Sequence, residues 1–163
     1  MATDVTATVR ELVSPFSVEI TPKEAPSLPP LPELLAPGTA VYLTFLPNTP
    51  WAETVGVARS VAEAGMRPVP HLAARAVPDR RTLASMLDDL AVVGVEDLLV
   101  LAGSLSTPVG EFHEAAQVLD SGLLEEAGIV RVGIVGHLFG GPRLVRRDRA
   151  ACVTRARRYS PCR

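Results

Sequence analysis

The stretch Gly65-Met-Arg-Pro-Val-Pro-His-Leu-Ala-Ala74 decides the predicted fold, because it joins the end of a helix to a short apolar strand. Pro68 and Pro70 lack a backbone N–H, so this strand must begin there, bulge, or turn those positions away from a neighbouring strand. His71 follows directly, at the carboxyl end of the strand. Parallel α/β architectures bind their ligands at that end. We therefore expect a ligand site at the strand ends and look for polar side chains at the ends of the other strands.

The composition is that of one globular domain able to fill a core, with 163 residues of which 47% are hydrophobic. Only 4% are aromatic, which argues against a stacking platform for single-stranded nucleic acid. No apolar run reaches the roughly 18 residues that span a bilayer, and residues 1–11 lack the pattern of a signal peptide. Cys152 and Cys162 alone make neither a disulfide framework nor a zinc site. We expect a soluble cytoplasmic protein with no membrane, nucleic-acid or metal partner.

Apolar patterning predicts five strands that alternate with helices. The predicted strands span residues 16–20, 39–46, 67–73, 97–102 and 129–135, and the longer predicted helices span 50–65, 79–93 and 111–127, with one or two turns near 31–36. Such alternation predicts right-handed crossovers and a parallel sheet. A complete (β/α)8 barrel needs typically about 250 residues, so residues 1–142 are predicted to form a partial TIM barrel. An open doubly wound sheet is the alternative.

The helix boundaries carry local signals. Thr49 is the predicted N-cap of the first long helix, with Pro50 at its first position, and Gly65 ends it. Gly94 is predicted to end the second long helix in a left-handed conformation. His113 is expected in the first turn of the third, facing solvent.

Polar or small residues stand at the ends of all five predicted strands, and their order is informative. The segments are Phe16-Ser-Val-Glu-Ile20, Leu43-Thr44-Phe45, Pro68-Val-Pro-His-Leu72, Leu99-Val-Leu-Ala-Gly-Ser104 and Val132-Gly-Ile-Val-Gly-His137. Together they resemble the methylenetetrahydrofolate reductase family over roughly residues 16–142. The most specific piece is Pro-x-Pro-His-Leu after a helix that ends in glycine.

The resemblance implies an oxidoreductase of one-carbon metabolism, on the route to methionine, that reduces 5,10-methylenetetrahydrofolate to 5-methyltetrahydrofolate. The family is a (β/α)8 barrel that holds FAD at the carboxyl ends of its strands and takes hydride from NAD(P)H. Glu19 matches the acid that supplies a proton at the folate, a task that suits a carboxyl group desolvated at a barrel mouth. Thr44 and His71 match positions that face the flavin. Gly103 matches a small residue that lets the backbone approach the cofactor.

The sequence also departs from the family pattern at two strand ends. The fourth strand of the family ends in Arg-Gly-Asp, with the aspartate beside the flavin, whereas this chain reads Ala102-Gly103-Ser104. The second strand here continues into Phe45-Leu46-Pro47 instead of Tyr-Gly-Ala. Ser104 therefore occupies a cofactor-binding position without the charge, which implies weak flavin affinity or none. A non-catalytic folate- or nucleotide-binding α/β module is the alternative function.

The C-terminal segment has a different character from the rest. Residues 143–163 hold eight arginines and one acid, and no helical or strand period is visible. We interpret this Arg-rich tail as disordered or as the product of a shifted reading frame, with the remaining barrel strands lost. A genuine basic tail for nucleic acid or anionic lipid is the rival interpretation. The unpaired edges of five strands predict that the chain alone is insoluble, molten or paired edge to edge in a homo-oligomer.

Each candidate residue also has a purely structural interpretation. Glu19 is equally consistent with a solvated or salt-bridged strand position, Thr44 with a packed β residue, and His71 with a satisfied histidine at a strand end. The glycines from Gly133 to Gly141 lack the spacing of a phosphate-binding loop and are taken as a turn.

Overall fold

Five parallel strands form one sheet in the part of the chain that the structure describes. The computed structural model describes residues 16–135. Its strands lie side by side in chain order, and every neighbouring pair is parallel. They are β1 (Ser17–Ile20), β2 (Ala40–Leu43), β3 (Arg67–Ala73), β4 (Asp97–Leu101) and β5 (Arg131–Ile134). The predicted α/β class, with a parallel sheet and helices between the strands, is therefore confirmed.

Some strands are shorter than predicted, because pairing with the neighbours limits them. The predicted second strand reaches residue 46, but β2 ends at Leu43, which lies opposite Ile20 at the end of β1. Likewise β5 covers four residues of the seven predicted. The predicted strand end at Gly136-His137 and the Arg-rich tail, residues 143–163, lie outside the described residues.

Helices connect the strands, and most of them follow the predicted positions. They are α1 (Leu31–Leu34), α2 (Trp51–Glu63), α3 (Arg80–Val93), α4 (Ala115–Leu119) and α5 (Leu123–Glu126), with 3₁₀ turns at Ala25–Ser27 and Ala74–Ala76. Gly94 ends α3 with φ +79°, as predicted. Among these described helices none is both long and apolar enough to cross a membrane.

The predicted N-cap of α2 is wrong. The cap position is Pro50, whose extended backbone (φ −56°, ψ 139°) keeps it outside the helix, and no side chain caps the first turn. Thr49 lies one residue too early, and its hydroxyl is buried without a hydrogen-bond partner among the described residues. By contrast, Asp79 caps α3 by accepting a hydrogen bond of 2.7 Å from the backbone N–H of Thr82, which lowers the pKa of the Asp79 carboxyl.

The predicted single helix over residues 111–127 is also wrong, because the chain forms two short helices there. Gly122 has φ +76° and separates α4 from α5. The preceding residues are held as a loop, since the N–H of Glu111 donates to the carbonyl of Pro78 and the carbonyl of His113 accepts from Arg75. His113 therefore precedes α4 instead of lying in a helical first turn.

The two faces of the sheet are packed differently. The face that meets the helices forms the main core, to which the strands contribute Val41, Leu43, Leu72, Leu98, Val100 and Val132. The opposite face carries a small apolar cluster of Ala40, Val69 and Leu99, with Tyr42 packed against it. Because side chains alternate along a strand, Glu19, Thr44 and His71 share this second face with that cluster.

Charged side chains tie the beginnings of β3, β4 and β5 together on the second face. Asp97 is 5% exposed, and its carboxylate accepts hydrogen bonds from Nε and Nη2 of Arg131. The Nε atom of Arg67 lies 3.6 Å from the same carboxylate. Hydrogen bonding to Asp97 raises the pKa of Arg131 further above its ordinary range. This network holds the end of the sheet that is remote from the candidate site.

Candidate functional site

The carboxyl ends of the first three strands bring three predicted residues together. Glu19 on β1 lies opposite Tyr42 of β2, and Thr44 directly follows the end of that strand. The hydroxyl of Thr44 donates to Oε1 of Glu19 at 2.6 Å. Nε2 of His71 on β3 lies 4.0 Å from the same oxygen, too far for a hydrogen bond. We call Glu19, Thr44 and His71 the rim cluster.

His71 is the buried member of the rim cluster, with 9% of its surface exposed. Burial lowers the pKa of its imidazole below the usual 6.5, and the negative charge of Glu19 opposes this only in part. Its ring also makes an edge contact with Tyr42, with ring centroids 6.0 Å apart. The imidazole is therefore neutral near pH 7, with one nitrogen as donor and the other as acceptor.

Glu19 is not desolvated as the resemblance implied. Its side chain is 57% exposed, so the expectation of a carboxyl group buried at a barrel mouth is wrong for the described part of the chain. The reason is that β1 is an edge strand of the described sheet, so no further described strand covers it. The carboxylate is held in place by the hydroxyl of Thr44 and remains open to a ligand.

Gly103 and Ser104 follow β4 at the same end of the sheet. Gly103 has φ +91°, and a Cβ atom there would lie 3.0 Å from the Cβ atom of Ala73. The fold itself therefore requires glycine at this position, whatever approaches it from outside. Ser104 is exposed, and in the described residues its side chain makes no hydrogen bond to the rim cluster. The structure thus places both residues at the predicted end without joining them to the other three.

Arg75 organises the loop that carries Gly103 and Ser104, a role that no sequence pattern indicated. Its backbone N–H donates to the carbonyl of Ala102, and its carbonyl accepts from the N–H of Val109. Its side chain donates from Nε to the carbonyl of His113 at 2.9 Å and from Nη1 to that of Leu105 at 3.1 Å. Carbonyl partners from a distant loop leave no local pattern, so only the folded chain reveals this role.

A cavity of about 400 Å³ opens beside His71, between the loops that follow β2 and β3. We call it the Trp51 cavity; its polar lining residues are Thr49, Trp51, Thr54, His71, Thr82, Ser85 and Asp89. Sequence reasoning missed this site. Its one available signal was the single tryptophan of the chain at the start of a helix, beside a strand end.

The rim cluster joins an exposed carboxylate, a hydroxyl donor and a neutral imidazole at the rim where parallel sheets bind ligands. Such a set can exchange a proton with a bound ligand. It does not form a metal site, since no group of three His, Cys, Asp or Glu side chains within residues 16–135 is arranged to hold an ion. The sequence matches no protein-family model.

Proposed function

We propose that residues 16–135 form part of the wall of a (β/α)8 barrel and that the chain is a reductase of the methylenetetrahydrofolate reductase type. The strand order β1-β2-β3-β4-β5 supports the barrel, because right-handed crossovers that always advance in one direction put every helix on one face. A doubly wound sheet reverses its strand order and has helices on both faces. In this sheet the main core lies on the face that meets the helices, and the opposite face carries only a small apolar cluster, as in a barrel wall.

The observation that carries the function is the hydrogen bond from Thr44 to Glu19, with His71 beside it on the next strand. These are the residues at which the resemblance expects the proton donor and two ligand-facing positions. In the proposed reaction NAD(P)H gives a hydride to the methylene carbon of 5,10-methylenetetrahydrofolate. A proton supplied at the folate by Glu19 opens the carbon–nitrogen bond, so the products are 5-methyltetrahydrofolate and oxidised nicotinamide.

The described residues do not fit FAD in the way the family binds it. Ser104 is exposed and uncharged where the family has its flavin-side aspartate. The guanidinium of Arg75, a residue adjacent to Gly103, already donates from Nε and Nη1 to the loop carbonyls of His113 and Leu105. We therefore assign no step of the reaction to a flavin.

The test is substitution of Glu19 by glutamine in the full chain. Glu19→Gln keeps the size and the hydrogen bond from Thr44 but removes the proton, so folate reduction should fall about 10²–10⁴-fold, the usual contribution of a general acid. Equilibrium binding of NAD(P)H and of 5,10-methylenetetrahydrofolate should change far less, because binding needs no proton transfer at the folate. Glu33→Gln, an exposed acid on α1, is the matched control. Loss of both turnover and ligand binding in Glu19→Gln would show that Glu19 is structural.

The alternative, a non-catalytic folate- or nucleotide-binding module, is favoured by the exposure of Glu19, because the described residues do not exclude water from the carboxylate that would transfer the proton. The same preparation separates the two functions. Equilibrium binding of 5,10-methylenetetrahydrofolate without turnover would support the module, whereas turnover that depends on Glu19 would support the reductase.

A further inference from the structure

The Trp51 cavity has a negatively charged lining. One face of α3 contributes side chains that stand three or four residues apart and therefore lie above one another along the helix, namely Thr82, Ser85, Met86 and Asp89. Asp89 is the one charged side chain among the described lining residues, since no Lys or Arg is among them and His71 is neutral near pH 7. The lining therefore repels an anion and attracts a cation.

The aromatic walls of the cavity favour the same sign of charge. They are Phe45, in the loop after β2, and Trp51, at the start of α2. Nε1 of Trp51 is shielded from solvent, so any part of the indole ring that a ligand meets is carbon. The face of an aromatic ring carries partial negative charge and attracts a cation. Asp89 and the two rings thus select one kind of ligand from different sides.

The cavity offers few hydrogen bonds to a ligand. Besides Nε1 of Trp51, Oγ1 of Thr49 and Nε2 of His71 are shielded from solvent, so they are out of reach of a molecule in the open part of the cavity. A primary ammonium would bring three N–H donors that need partners. A quaternary ammonium ion has the same charge and no N–H, so it loses no hydrogen bond when it enters. Leu46 and Met86 add apolar surface for its methyl groups.

We propose that the Trp51 cavity binds a small quaternary ammonium ion, with its methyl groups against Phe45 and Trp51 and its charge facing Asp89. The volume of about 400 Å³ falls within the range of small-molecule pockets. This site goes beyond the proposed reduction, since it uses neither Glu19 nor Thr44 and its ligand takes no part in that reaction.

The experiment uses the single tryptophan of the chain as a reporter inside the cavity. The full chain is excited at the red edge of the tryptophan band and titrated with choline, which replaces sodium chloride at constant ionic strength. The matched ligand is the neutral isostere of choline, in which a carbon atom replaces the nitrogen. Asp89→Asn tests the carboxylate, and Asp88→Asn, an exposed neighbour outside the cavity, is its control. Phe45→Leu removes an aromatic ring and keeps the wall apolar.

Choline should change the Trp51 emission in a saturable way and raise the unfolding midpoint, as binding to the folded state requires. The isostere should bind at least about fivefold more weakly, because it lacks the charge that the rings and Asp89 attract. Asp89→Asn and Phe45→Leu should each weaken choline binding at least about threefold and change isostere binding less than about twofold. Asp88→Asn should leave both affinities unchanged.

Three results would overturn the proposal. They are a linear, unsaturated response to choline, isostere binding as tight as choline binding, and an equal effect of Asp88→Asn and Asp89→Asn. Asp89 is exposed, so its substitution keeps the test decisive even if Phe45→Leu disturbs the fold. Because the titration measures binding without turnover, failure of the reductase proposal leaves its result unchanged.

Discussion

Replacing Gly103 by alanine tests whether the fold itself requires glycine at this position. The backbone φ of +91° costs a residue with a Cβ atom roughly 1–2 kcal/mol. The new Cβ would also lie 3.0 Å from the Cβ atom of Ala73, closer than ordinary van der Waals contact. Overpacking of this kind typically costs about 1–3 kcal/mol. Gly103→Ala should therefore lower the free energy of unfolding by about 2–5 kcal/mol.

Gly94→Ala provides the matched control. Gly94 has φ +79°, close to that of Gly103, but a Cβ atom there would meet nothing within 4 Å. Its substitution should cost only the conformational part, about 1–2 kcal/mol. Urea unfolding of the two variants and the wild type measures both values on one scale.

A second substitution can remove the steric contribution to the destabilisation by Gly103→Ala. Adding Ala73→Gly to Gly103→Ala removes the atom that crowds the new methyl group, so the double variant should recover the overpacking cost. The recovery is reduced by about 0.5–1 kcal/mol, the penalty for glycine inside a strand. If Gly103→Ala is no more destabilising than Gly94→Ala, or if Ala73→Gly brings no recovery, the crowding explanation is refuted.

Three further predictions concern stability and assembly. Asp97→Asn should lower the free energy of unfolding, measured in urea, by about 1–3 kcal/mol. It removes the charge of a buried carboxylate whose arginine partners are half exposed and partly screened. A loss under about 0.5 kcal/mol would contradict this. The pKa of His71 is lower in the folded than in the unfolded state, so the unfolded chain binds the proton more tightly and stability should fall as the pH drops below 6.5. His71→Gln should flatten that part of the pH–stability curve, and an unchanged slope would rule out His71 as its source. In the described residues β1 and β5 each have one unpaired edge, and Val130 beside β5 is 67% exposed. Size-exclusion chromatography should therefore show an oligomer, and Val130→Lys should weaken it. A wild-type monomer with a sharp unfolding transition would contradict this edge pairing.

Local patterns in the sequence determined the class of fold. Period-two and continuous apolar runs located all five strands, and Asp79 and Gly94 located the ends of α3. These features depend on neighbours within one turn or one strand, so they are visible in the sequence. Where a distant contact intervenes, the local pattern fails: residues 111–114 look helical, but hydrogen bonds from Arg75 and to Pro78 hold them as a loop.

The residues of the candidate site could be predicted from the sequence, but their contacts and exposure could not. Strand ends in the sequence pointed to Glu19, Thr44 and His71, because parallel strands of known direction must bring their carboxyl ends to one rim. The sequence could not give the 2.6 Å hydrogen bond from Thr44 to Glu19, the burial of His71 or the exposure of Glu19. Each depends on the register between strands and on which strand forms an edge, and these are fixed only when the whole sheet has assembled.

The Trp51 cavity as a whole could not be predicted from the sequence, in which the single tryptophan at the start of a helix was the one available signal. Its walls come from the loop after β2, the start of α2, the end of β3 and the side of α3. No local pattern marks Thr49, Trp51 or Asp89 as neighbours. Only the packing of α2 against α3 above the sheet brings them together, because the distance between side chains on different elements is set by tertiary contacts and not by their spacing along the chain.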